Sequence, residues 1–184
     1  GEYKEYRRLH GEFNRIWVDY DEKAAKENDR DYDGIPYRLA MAFVAIEDER
    51  FYSHNGIDLQ GIFRAFFVGI KNGRFSEGAS TITQQLAKNL FPRNTSANDG
   101  KITRTLRLVG NKLKEWITAI KLEHNYTKEE IIAMYLNTVG YGTNAFGIKS
   151  ASRIFFDKAP NELNIQEAAL LVGVVNAPSR YSPV

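Results

Sequence analysis

The chain has 184 residues, 43% of them hydrophobic and 12% aromatic, which fits a folded globular protein and excludes a disordered polymer. A formal charge of +2 gives no footprint of a nucleic-acid binder, and the lack of cysteine excludes disulfides and thiolate metal sites. No signal peptide and no apolar stretch long enough to span a bilayer is visible, so the chain is soluble or its membrane segment lies elsewhere.

Residues 1 to 38 are polar, with scattered aromatics (Tyr3, Tyr6, Phe13, Trp17, Tyr20), and the charged run from Asp19 to Asp33 reads as a solvated helix or linker. Pro36 closes it. From Leu39 onward the pattern is helical, and no alternating strand pattern stands out, so the fold is expected to be mainly α.

An apolar run, Leu39 to Ile46, leads directly into Glu47-Asp48-Glu49-Arg50-Phe51-Tyr52-Ser53-His54-Asn55-Gly56. A hydrophobic helix that ends in ionisable groups just before a glycine turn delivers carboxylates to the mouth of a cleft. Glu47 follows Ile46, so partial desolvation is expected to raise its pKa and make it a better base near neutrality. The plainer reading is a helix end carrying a solvated charge cluster.

Asp58 caps a helix to about Asn72, with Gly73 as its stop. Ile62, Phe63, Phe66, Phe67, Val68 and Ile70 cover most of its circumference, and Phe75 follows. Such a helix is either buried or, with Arg64, Lys71 and Arg74 interspersed, interfacial. In the next segment Ser80 is an expected N-cap, and Ile82, Leu86 and Leu90 form a stripe that ends at Pro92. Residues 93 to 100 read as a flexible loop.

Lys101 to about His124 reads as one long helix. Ile102, Leu106, Val109, Leu113, Ile117 and Ile120 give its apolar face, while Arg107, Asn111 and Glu115 fall four apart on a more polar side with Lys112 and Lys114 beside them. Internal ion pairing alone would account for those charges. Capping boxes at Thr127–Glu130 and Asn164–Glu167 open two further helices, a short one is expected near Ile148–Phe156, and Asn137 to Gly147 reads as a tight glycine-rich loop.

Four stretches together resemble glycosyltransferase family 51, the peptidoglycan glycosyltransferase domains of class A penicillin-binding proteins and monofunctional wall transglycosylases. They are Glu47-Asp48-x-x-Phe51-x-x-His54-x-Gly56; Gly78-x-Ser80-Thr81-Ile82-Thr83-Gln84-Gln85 with Lys88-Asn89; Lys112-Leu113-Lys114-Glu115; and Lys128-x-x-Ile131-x-x-x-Tyr135-Leu136-Asn137. They occur in the family's order over most of residues 36 to 180. Asn111 stands where the family usually has arginine, and Ala133 where it usually has glutamate. The loop from Arg93 to Arg104 is longer than is common, and the family's arginine-rich fifth motif is not within the 184 residues.

The resemblance implies a lysozyme-like, two-lobed helical domain over residues 36–184. It adds a smaller membrane-facing jaw lobe at about 58–76, an N-terminal linker or extension at 1–35, and a transmembrane helix before Gly1. It further implies that lipid II units are joined to a growing glycan chain by β-1,4 bonds, with inversion and release of undecaprenyl pyrophosphate.

In that chemistry Glu47 matches the base and Glu115 the second essential acid. Lys88 and Arg107 match pyrophosphate-binding positions, and Lys112 adds charge. Ser80, Thr81, Gln84 and Gln85 would hydrogen-bond sugar or phosphate. Asp48, His54 and Asn137 would support the site, and Phe63, Phe66, Phe67 and Phe75 would face the membrane. No cofactor is required by the resemblance; a divalent cation, Mg or Mn, held near Glu115 is compatible with it, and no metal site is certain. The implied partners are lipid II, the glycan chain, the membrane and a transpeptidase domain or other wall-synthesis proteins, with no nucleic acid. The implied location is the extracytoplasmic (periplasmic) face of the bacterial cell membrane, and moenomycin is the implied donor-site inhibitor.

Two other readings stay open on the residues. A lysozyme-like peptidoglycan hydrolase would need an acid and an activated water but no lysine–arginine pyrophosphate site. A non-catalytic membrane or wall-binding module would be indifferent to Glu47→Gln.

Overall fold

The computed structural model describes residues 17–27, 32–72, 80–91, 100–142 and 145–177. Their order is α1 (Glu22–Glu27), α2 (Tyr37–Glu47), a 3-10 turn (Phe51–Ser53), α3 (Leu59–Asn72), α4 (Ile82–Leu90), α5 (Lys101–Asn125), α6 (Lys128–Thr138), α7 (Ile148–Phe156), a 3-10 turn (Pro160–Glu162) and α8 (Ile165–Asn176). The mainly α expectation holds. Among the described residues the β pairing is a single bridge between Gly140 and Phe146.

The chain forms two compact units. One is discontinuous, Gly1–Ile46 with Ile132–Val184; the other is Glu47–Ile131.

In the discontinuous unit Phe43 of α2 meets Tyr135 and Tyr141 edge-on, with ring centroids 6.2 and 6.1 Å away, and all three rings are fully buried. Asn137, near the end of α6, is buried too. Its Oδ1 accepts from Val18 N–H at 2.9 Å, and its Nδ2 donates to Val18 C=O and Ala133 C=O, each at 2.8 Å. One side-chain amide thus mimics a strand partner for Val18 and fixes that segment to α6. Gly147, at φ +80°, ends the loop after α6; a Cβ there would sit 2.6 Å from Asn137 O, so only glycine fits. The Asn164–Glu167 capping box forms as expected at the start of α8.

In the continuous unit α4 packs against α5. Ile82, Leu86 and Leu90 are buried, as their four-residue spacing predicts. The N-cap of α4 is Thr81, not the expected Ser80: Thr81 Oγ1 accepts from Gln84 N–H, while Ser80 Oγ accepts from Lys112. The Thr127–Glu130 capping box is present, opening α6.

α5 departs from expectation. The side packed inward carries Glu115, Ala119 and Leu122, and the apolar stripe Ile102–Ile120 is exposed. Apolar periodicity places residues on one face without saying where that face points. Here Glu115 can turn inward because Lys112 pairs with it.

Candidate active site

Glu47 is the last residue of α2 and opens the continuous unit. Its Oε2 accepts from Gln85 Nε2 on α4 at 2.8 Å. Burial pushes the Glu47 carboxyl above its usual value, the Gln85 hydrogen bond pulls it partly back, and the neighbouring Asp48 charge raises it further. This is the direction expected for a general base.

Asp48 is buried and holds the adjoining loop. Its Oδ2 accepts from Ile82 N–H at 2.9 Å, at the start of α4, where a carboxylate suits the helix dipole. It also accepts from His54 Nε2, at 2.9 and 3.0 Å to its two oxygens. His54 Nδ1 accepts from Gly56 N–H at 3.2 Å, which assigns the remaining proton to Nε2 and the donor role toward Asp48.

Gly56 then serves α4. Its carbonyl accepts from Thr81 Oγ1 at 2.7 Å and from Gln84 Nε2 at 3.2 Å. Its φ is +87°, and an added Cβ would lie 2.9 Å from the Ala119 backbone of α5. The spacing His54-x-Gly56 is therefore a geometric requirement: the histidine fixes the loop and the glycine lets it touch α5.

The cationic side is built on α4 and α5. Lys112 Nζ donates to Ser80 Oγ at 2.8 Å and to Gln84 Oε1 at 3.1 Å, and lies 3.4 Å from Glu115 Oε2. Adjacent residues of α4 thus hold the two halves together, Gln85 on Glu47 and Gln84 on Lys112. Lys88, exposed one turn further along α4, projects from the arc between Gln84 and Gln85. Arg107 lies about 12 Å along α5 from Glu115. The structure brings Glu47, Asp48, His54, Ser80, Thr81, Gln84, Gln85, Lys88, Arg107, Lys112 and Glu115 into one unit. Asn137 belongs to the other, engaged with Val18. Phe63 and Phe67 of α3 are exposed; Phe75 and the side chain of Phe66 lie outside the described residues.

One participant was not singled out by sequence. Lys128 Nζ donates to His54 C=O at 2.7 Å and to Glu123 Oε1 at 2.8 Å, and sits 4.4 Å from the Phe51 ring centroid. Glu123 Oε1 also accepts from Thr83 Oγ1 of α4 at 2.6 Å. Lys128 thereby ties the His54 loop to α4 and α5. Its place in the fourth motif was the available signal.

Among the described residues no group of three or more His, Cys, Asp or Glu gathers as a metal site. Glu115 offers a single carboxylate already paired with Lys112, so protein side chains alone do not form a divalent-cation cage there.

The Transglycosylase family model matches residues 14–184. The chain belongs to the transglycosylase family. It is 41% identical over 152 residues to penicillin-binding protein 1A of Escherichia coli K12, covering 83% of this chain and 17% of that protein. It is 43% identical over 150 residues to penicillin-binding protein 1F of Bacillus subtilis 168, covering 82% of this chain and 20% of that protein. Penicillin-binding protein 1A of Aquifex aeolicus VF5 is 43% identical over 151 residues, 82% of this chain and 19% of that protein. The chain therefore spans about a fifth or less of these relatives' length.

Proposed function

We propose that this transglycosylase chain is a peptidoglycan glycosyltransferase that polymerises lipid II with inversion. The observation carrying the proposal is the pairing of adjacent glutamines on α4: Gln85 holds a carboxyl of raised pKa, and Gln84 holds Lys112 beside Glu115. A base and a cationic group held by one short helix suit a displacement that deprotonates one oxygen and discharges a pyrophosphate from another.

In this reading Glu47 Oε1 or Oε2 removes the proton from the GlcNAc 4-hydroxyl of the acceptor as that oxygen attacks the donor's anomeric carbon. The bond from that carbon to the pyrophosphate oxygen breaks, the α-linked centre becomes β, and undecaprenyl pyrophosphate leaves. Lys88, Arg107 and Lys112 stabilise its growing negative charge, each at a typical value of about 3–4 kcal/mol. Glu115 orients Lys112. Glu115 is the residue that would hold a divalent ion, which would supply further positive charge to the departing pyrophosphate. Ser80 and Gln85 reach sugar or phosphate directly, while Thr81, Gln84, Asp48 and His54 hold the frame.

Residues 36–184 form the catalytic part in this proposal, with about 58–76 toward the membrane on the extracytoplasmic side. Exposed Leu59, Phe63 and Phe67 support that orientation. The relatives' length and the penicillin binding stated in their names support a transpeptidase domain elsewhere in the protein.

Incubation of the chain with labelled lipid II, followed by gel separation, tests the reading. Glycan polymer that disappears with moenomycin is the expected result. Shortened wall glycan without polymer would favour the hydrolase, and neither product would favour a binding module.

A further inference from the structure

The segment that follows Glu47 is held at two places. Two backbone bonds, Phe51 N–H to Asp48 C=O and Ser53 N–H to Arg50 C=O, each 2.8 Å, fold residues 48–53 into a compact turn. Asp48 fixes the start of this turn to Ile82 N–H and to His54. Arg50 fixes its far side to the first turn of α3. Arg50 Nε donates to Asp58 Oδ2 at 3.1 Å, Nη2 donates to Asp58 Oδ1 and Oδ2 at 2.5 Å each, and Nη1 donates to Gln60 Oε1 at 2.7 Å. One guanidinium therefore grips two side chains of α3's opening turn.

Asp58 serves the helix with the same carboxylate. Its Oδ1 accepts from Gly61 N–H at 2.9 Å, and its carbonyl accepts from Ile62 N–H at 3.0 Å. Burial would raise the Asp58 carboxyl, but the Arg50 and Gly61 hydrogen bonds and the Arg50 charge outweigh it and hold the group below the ordinary carboxylate range. The pair is therefore ionised at neutral pH. Gly61 makes room for it: an added Cβ would collide with the Asp58 carboxylate and come 3.2 Å from Arg50 Nη2. Glycine is a poor helix former, and here the fit of the ion pair accounts for its presence in α3. The two side chains are 28% and 17% exposed. A pair this open to water adds little to stability, yet its forked geometry fixes a direction.

We infer that Arg50 is a positioning residue for the candidate base: it ties the turn after Glu47 to the capped end of α3 and so keeps Glu47 set against Gln85. Without that tie, residues 50–53 are free to swing about Asp48, and water reaches the Glu47 carboxyl. The inference rests on the reading of Glu47 as the general base. Asp48, whose charge also acts on Glu47, is untouched by every variant below.

The test compares wild type with Arg50→Gln, Arg50→Lys and Asp58→Asn. Asparagine keeps an acceptor for Gly61 N–H and removes only the charge. Steady-state polymerisation of lipid II across pH, thermal melts, and a carbon NMR titration of the Glu47 carboxyl are measured on each. Arg50→Gln and Asp58→Asn are expected to lower kcat about tenfold with KM kept within about twofold. Melting should stay close to wild type. The Glu47 titration is expected to move toward the ordinary glutamate value, and the acid limb of kcat/KM to follow it to lower pH. Arg50→Lys should show most of the same loss, because one ammonium cannot reproduce the fork to Asp58 and Gln60. The double variant Arg50→Gln, Asp58→Asn should fall no further than either single change.

Wild-type kcat in Arg50→Gln overturns the inference, as does a loss carried by KM, a lysine variant as active as wild type, or an additive double variant. A loss of turnover that comes with a collapse in melting, or with an unmoved Glu47 titration, makes Arg50 a structural residue only and overturns it too. The titration needs no turnover. A wild type that makes no polymer therefore defeats the proposed function, while the Glu47 titration still decides the role of Arg50.

Discussion

Gln85 Nε2 donates to Glu47 Oε2 at 2.8 Å, so α4 holds the candidate base in place and also moderates its acidity. The hydrogen bond favours the ionised carboxylate and opposes the effect of burial. Replacing Gln85 with leucine keeps the volume and removes the donor, so the Glu47 pKa is expected to rise further. The acid limb of kcat/KM for polymerisation then moves to higher pH, with a loss of roughly two- to tenfold at neutrality. A limb that stays in place or moves to lower pH contradicts this coupling.

Glu47 also predicts a stability change opposite in sign to its effect on activity. A carboxyl raised in the folded state binds its proton more tightly there than in the unfolded chain. The stability it contributes is full below the unfolded value and is lost as pH rises through the folded one. At neutral pH the ionised, partly buried group is a cost, and Glu47→Gln is expected to melt higher than wild type. The gap closes as pH falls toward the ordinary glutamate range. Thermal melts of the two proteins across that pH range check it; a variant less stable at neutrality argues against the strained carboxylate.

Gly56→Ala strains the backbone at φ +87° and sets a methyl against the Ala119 backbone. A loss of about 2 kcal/mol or more in urea unfolding is expected. The Gly56 carbonyl serves Thr81 and Gln84, so turnover falls with stability. An alanine variant as stable as wild type would mean that the loop has room the structure does not give it.

Lys128→Met leaves Glu123 buried without its cation and His54 C=O without its donor. The expected cost is about 3–5 kcal/mol, the range for breaking one side of a buried pair. The double variant Lys128→Met, Glu123→Gln recovers part of the loss, because the uncompensated charge is gone. A single variant within about 0.5 kcal/mol of wild type would show the bridge to be a surface contact.

Much of the frame was legible because its signals are local. The boxes at Thr127–Glu130 and Asn164–Glu167 start helices through side chains three residues apart, and the buried stripe of α4 follows from its spacing. The orientation of α5 was not legible: its six aliphatics and Glu115 mark opposite faces, and only packing decides which turns inward. The Asn137–Val18 pairing joins residues 119 apart in sequence, beyond any local pattern. Lys128 stood in a recognisable motif, but its role depends on a carbonyl and a ring from the Phe51–His54 loop and a carboxylate near the end of α5. The residues around Glu47 were the most legible, since a carboxyl following an apolar helix has few ways to escape partial burial.

The most direct measurement is the rate of glycan polymer formation from labelled lipid II by purified Glu47→Gln, with lipid II binding measured on the same protein. General-base catalysis predicts a loss of about a hundredfold or more in polymerisation, with binding kept within a few-fold of wild type. Polymer formed at the wild-type rate would remove Glu47 from the reaction.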